Sequence, residues 1–171
     1  MGQRAMFSAL LLALSLATTA WAQALYSPPE GDFSVAFAAT PLAKVQPAKR
    51  SKDVTYRRYV DQEPDRALVV TVDEYPDGVL PQLVDAGVYD HVLRDRAENT
   101  GMELVSTRAA RLAGRPCLEG TFKDANDTVE VVRVLMLGGR IYQLTYARAA
   151  QADQPAAAAA FFNSFKLNAT P

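Results

Sequence analysis

The sequence predicts an α+β domain, an antiparallel sheet of about six or seven strands with helices packed on its faces. Two observations carry that prediction. Most of the chain is a succession of runs in which apolar and polar residues alternate, separated by short turns rich in Gly, Pro and Asp. Two other segments instead repeat their apolar residues at intervals of three and four, the period of an amphipathic helix.

The N-terminus comes before that domain and has a different pattern. Arg4 precedes an almost unbroken apolar run from Ala5 to Ala17, and Ala20-Trp21-Ala22 supplies the small-x-small pattern that signal peptidase accepts ahead of Gln23. The run is about 13 residues long, short of the ~20 that span a bilayer. Residues 1–22 are therefore expected to be a secretory signal peptide and 23–171 a single domain, periplasmic or secreted, with no membrane anchor after cleavage. Cys117 is the only cysteine, which excludes an intramolecular disulfide and is expected to be a buried free thiol. The formal net charge of the whole chain is −1, and losing Arg4 with the leader makes it one unit more negative. That balance offers no electrostatic footprint for nucleic acid.

The mature chain opens on the turn-forming Tyr26-Ser27-Pro28-Pro29-Glu30-Gly31-Asp32, after which Phe33, Val35 and Phe37 alternate as a half-buried strand. Pro41 and Pro47 bracket a short edge strand around Val45. Val54, Tyr56 and Val60 alternate against Thr55, Arg57 and Tyr59, and a turn at residues 61–65 joins them to the β-branched run Leu68–Val72 as a hairpin. The main helix is predicted over Leu80–Asn99, with Pro81 in its first turn and Gly101 just past its end. Its apolar ladders are Leu80, Val84, Val88 and Val92, then Ala86, Tyr89, Leu93 and Ala97, with Asp85 and Arg96 outside them. Strands follow at Leu104–Ala109, Cys117–Phe122, Val129–Leu137 and Ile141–Ala147, the last two joined by Gly138-Gly139, a hairpin signal. Tyr142, Leu144 and Tyr146 share one face. A closing helix, capped by Asp153 and opened by Pro155, carries Ala158, Phe161, Phe162 and Phe165 as a stripe.

The opening segment, with its Phe33-Ser34-Val35-Ala36-Phe37 strand and Pro41, is similar to that of small exported bacterial proteins of the PsbP-like family. Leu112-Ala113-Gly114-Arg115-Pro116, Arg140-Ile141-Tyr142-Gln143-Leu144 and Phe161-Phe162-Asn163-Ser164-Phe165-Lys166-Leu167 extend the resemblance over nearly the whole mature chain. Cys117 stands where that pattern often has Gly. The resemblance implies an α-β-α sandwich. Its relatives include an extrinsic photosystem II subunit, a small-GTPase binder and periplasmic lipoproteins such as DcrB, so it implies binding to other proteins in preference to catalysis. Every shared motif is structural, and none transfers a binding residue.

Few residues suggest chemistry. His91, the only histidine, shares a helix face with Asp95 and Glu98 and could in principle meet one metal ion, although the same spacing is common on solvated helices. Cys117 lacks flanking groups that would activate it, and no Gly-x-Ser-x-Gly elbow is present. Lys44, Lys49, Arg50, Lys52, Arg57 and Arg58 form a basic stretch able to dock an acidic partner. Tyr142, Tyr146, Phe161, Phe162 and Phe165 serve either as core or as the lining of a pocket. The expected function is a non-enzymatic, cofactor-free exported protein, a monomer or homodimer, that binds a protein partner or assists the envelope. Two alternatives stand beside it: a small-ligand or metal carrier working at the sheet–helix interface, and a hydrolase of unrecognised site.

Overall fold

The computed structural model describes residues 24–48, 51–79, 87–149 and 155–168, with only the backbone described at 51 and 52. The expected signal peptide, Asp153, and residues 80–86, where the main helix is expected to begin, lie outside the described residues.

Seven strands form one antiparallel sheet. In sequence order they are β3 (Leu42–Ala48), β4 (Ser51–Gln62), β5 (Arg66–Glu74), β6 (Glu103–Leu112), β7 (Arg115–Lys123), β8 (Val129–Leu137) and β9 (Arg140–Arg148). Their spatial order is β3-β4-β5-β9-β8-β7-β6. Helix α1 (Val88–Thr100) falls in the connection that carries the chain from β5, in the middle of the sheet, to β6 at its far edge. Three hairpin steps then bring it back until β9 pairs with β5, Val70 opposite Leu144. A plain meander would have left β5 beside β6.

The Phe33–Phe37 strand is not part of this sheet. As β2 it pairs with β1 (Ala24–Tyr26) on one side and β10 (Lys166–Leu167) on the other, a separate three-stranded ribbon. All five of its residues are buried, Ser34 and Ala36 included, so the expected half-buried alternation does not hold. The reason is position. The ribbon and helix α2 (Pro155–Ser164) pack together over one face of the main sheet, enclosing the strand on both sides.

That face holds the larger core. Tyr59, Leu68, Val70, Val72, Tyr142 and Leu144 rise from the sheet to meet Phe33, Phe37, Phe161 and Phe165. Tyr142, Leu144 and Tyr146 do share this face and are buried. Helix α1 covers the other face over β6 and β7, where Leu93 packs with Phe122, Val132, Val134 and Ile141. Gly120 makes room for it, because a Cβ there would lie 3.0 Å from a Leu93 methyl. Helix α1 ends at Gly101, φ 69, whose N–H reaches the Ala97 carbonyl as expected of a left-handed cap. Arg96, expected to point away from the apolar face, instead lies over the Phe122 ring and pairs with Glu130.

In β4 the two expected residue sets do occupy opposite faces, and the set that carries Arg57 is the one turned to the larger core. Arg57, Tyr59 and Asp61 point into the larger core, while Tyr56, Arg58 and Val60 occupy the opposite face. The pairing of Arg57 with Val72, and of Tyr59 with Val70, sets this register.

Candidate functional site

Arg57 is 1% exposed and so is not part of a docking surface. The Asp32 carboxylate is what permits its burial. Arg57 donates Nη1 to Asp32 Oδ1 at 3.1 Å and Nη2 to Oδ2 at 2.7 Å, a fork-to-fork pair between strand β4 and the opening loop. Tyr142 donates its hydroxyl to the same Asp32 oxygen, Tyr59 donates to Glu30, and Arg140 bridges to Glu74 at 2.7 Å. Burial raises the carboxyl pKa of Asp32, but Arg57 and then Arg140 outweigh it and hold the group below the usual carboxylate range. Burial pushes the Tyr59 and Tyr142 hydroxyls up to about 12. The Glu30-Gly31-Asp32 motif is thus a clamp that fixes the ribbon to the main sheet. Its charged groups are engaged with one another, leaving only the buried Arg57 Nε without a hydrogen-bond partner among the described residues, and its role is structural.

The other cations of the basic stretch separate from Arg57. Lys49 and Arg50 lie outside the described residues, as does the Lys52 side chain. Lys44 on β3 and Arg58 on β4 are exposed and sit directly opposite each other. Opposed like charges on neighbouring strands are unfavourable, and neither residue has an ion-pair partner among the described residues. Beside Lys44 on the same face is Leu42, 79% exposed, and β3 is the outermost strand of the sheet. Cations, an exposed apolar side chain and an open strand edge therefore coincide.

Helix α1 brings His91 Nε2 within 3.4 Å of Asp95 Oδ2, but both side chains are solvent-accessible and Glu98 does not join them. Among the described residues no group of three His, Cys, Asp or Glu side chains converges to hold a metal ion. Cys117 is buried and unpaired beneath the closing helix, and burial pushes its thiol up to about 11, away from nucleophilic use.

Sequence reasoning missed a third constellation. Between α2 and the β6–β9 end of the sheet is a cleft of about 400 Å³. Glu119 on β7, 3% exposed, lies in it with Arg108 of β6 on one side and Arg133 of β8 on the other. Arg108 Nε is 2.6 Å from one carboxylate oxygen and Arg133 Nε 2.8 Å from the other. Burial acts to raise the Glu119 pKa, but the two arginines prevail and lower it. Arg133 also lies 4.4 Å from the centre of the Phe162 ring, which ties the cleft to α2. Of the five aromatics considered as pocket lining, Tyr146 and Phe162 border this cleft, and the other three belong to the core.

The fold is therefore that of a helix- and ribbon-covered antiparallel sheet, an α+β sandwich of the PsbP-like type. No family model and no curated protein matches the chain. Among solved structures it is similar to cyanobacterial PsbP (CyanoP) from Synechocystis sp. PCC 6803, with a TM-score of 0.60 at 13% identity over 89% of this chain and 96% of that one. At that identity the likeness is one of fold.

Proposed function

We propose that the protein is exported, cleaved after Ala22, and acts outside the cytoplasm as a non-enzymatic accessory that docks an acidic protein partner on its β3–β4 edge. One observation carries the reading: Lys44 and Arg58 are opposed across two strands, with no compensating anion among the described residues, beside the exposed Leu42. Such a pair costs stability in the free protein and gains when a carboxylate-bearing surface covers it. The open β3 backbone adds a row of hydrogen-bonding groups of the kind used in strand-by-strand docking.

A photoactivatable amino acid in place of Leu42 tests the surface directly. It should form a discrete protein adduct in the native envelope, whereas the same probe in place of Asn99, exposed on α1, should not. Equal labelling from both positions, or none from Leu42, would contradict the reading. The export step has its own readout, since the intact mass should begin at Gln23 and a mature species retaining Met1 would defeat it. The small-ligand alternative is favoured by a different feature, the arginine-flanked cleft under α2.

A further inference from the structure

We propose that the cleft between α2 and strands β6–β9 binds a small carboxylic acid, its carboxylate held by Arg108 and Arg133 and its apolar body lying against α2. This inference is independent of the acidic-partner reading, because it uses the other end of the sheet and the opposite face.

The charge count comes first. Two guanidinium groups, those of Arg108 and Arg133, pair with the one carboxylate of Glu119, and a third arginine, Arg148, also lines the cleft, so cationic side chains outnumber anionic ones there. Glu119 is almost entirely buried and belongs to the wall, so it holds the arginines in place without cancelling both. An anionic ligand offsets the remaining positive charge of the cleft.

The donor inventory agrees. Arg108 engages Glu119 through Nε and Nη2, and Arg133 engages it through Nε while giving Nη1 to the Arg111 carbonyl at 3.0 Å. A guanidinium has more N–H groups than these bonds use. Arg133 is fixed by its stacking on Phe162, so its remaining donors are already oriented, which lowers the entropic cost of capture. Thr121 adds a hydroxyl to the lining.

The remaining walls set the other half of the ligand. Val131, Ala158, Ala159 and Phe162 make an apolar surface, and the cavity falls within the size range of small-molecule sites. The small alanines of α2 are what keep the space open. Bulkier residues at Ala158 and Ala159 would fill it.

The test is calorimetric titration of the exported chain with acetate, 3-phenylpropionate and decanoate, and with 3-phenylpropanamide as the uncharged isostere. Binding should be saturable for 3-phenylpropionate or decanoate and about tenfold or more tighter than for the amide. Arg108→Gln should weaken the acid about tenfold without lowering the melting temperature, because Arg108 is 73% exposed and Arg133 still neutralises Glu119. Ala159→Trp, on an exposed position of α2 bordering the cleft, should abolish binding while leaving every charge intact. The proposal is overturned if the amide binds as well as the acid, if neither substitution changes the affinity, or if no carboxylate in the series binds. Tighter binding of phenyl phosphate than of 3-phenylpropionate would overturn the assignment to a carboxylate.

Discussion

Replacing Phe165 by Ala should loosen all the layers of the larger core at once. Phe165 follows α2 directly and precedes β10, so it sits where helix, ribbon and sheet meet. Its ring is buried, 5.5 Å from Phe33 of the ribbon and 5.8 Å from Tyr142 of the main sheet, centre to centre. Truncating a fully buried Phe costs about 3–5 kcal/mol, through lost burial and the cavity left behind. For a domain near 150 residues each kcal/mol lowers the melting temperature by about 2–4 °C, so a drop of roughly 6–20 °C is expected. Phe165→Leu, which retains most of the volume, should cost less than half as much. Melts followed by circular dichroism, with urea titrations to give free energies, measure both. Leu42→Ala serves as the reference, since its side chain is exposed and its loss should fall within about 0.5 kcal/mol of the parent. If Phe165→Ala melts beside Leu42→Ala, the three-layer packing is wrong.

Further outcomes follow from the buried charges and the thiol. Asp32→Ala strands Arg57 inside the core and should cost about 3–5 kcal/mol, whereas Asp32→Leu combined with Arg57→Met should recover part of that loss in urea titrations; strictly additive costs would deny the clamp. The carboxyl pKa values of Asp32 and Glu119 are depressed in the folded state, so their contribution is complete above the unfolded value near 4 and drains away as pH falls through the lower folded values. The urea midpoint should therefore hold steady from about pH 7 to 5 and fall below about 4, less steeply in Glu119→Gln; a midpoint that rises on acidification would refute this. Cys117, its thiol pKa raised from 9.0 to about 11 by burial, should label slowly with a thiol reagent in the native state and quickly in denaturant. Its stabilising effect is complete below pH 9 and is lost as pH rises toward 11; rapid native labelling would expose the thiol.

Local patterns in the sequence revealed most of the elements, because alternation, glycine turns and helix stripes are short-range signals. The Val129–Leu137 and Arg140–Arg148 hairpin and the Phe161-Phe162-Phe165 stripe are of that kind. What failed depended on partners distant in the chain. Arg57 looked solvent-facing because arginine is rarely buried, and the residue that allows its burial is Asp32, 25 positions earlier. Phe33–Phe37 looked half-buried because its alternate residues are small, and only the ribbon's position over the sheet encloses them. The β5–β9 pairing joins residues 66 to 82 positions apart, from Glu74 with Arg140 to Arg66 with Arg148, and no local period reveals it.

The same limit hid the cleft. Glu119 falls in the core-facing register of β7, two residues from Cys117, and a carboxylate there was a visible sign that cations must lie opposite. Which cations they were required the pairing of β7 with β6 and β8, which sets Arg108 and Arg133 directly across from it. In the basic stretch, by contrast, composition alone marked the segment. The structure then divided it, with Arg57 turned inward and Lys44 and Arg58 outward.

The central claim is that this outward pair docks an acidic protein partner, and charge reversal tests it most directly. Lys44→Glu with Arg58→Glu changes two exposed side chains, so the fold and melting temperature should stay close to the parent. Affinity capture from envelope extract, at low and at raised salt, then compares the two proteins. The account predicts a stoichiometric partner held by the parent at low salt, released as salt rises, and absent from the reversed variant. A partner captured equally by both proteins, or held regardless of salt, would contradict it.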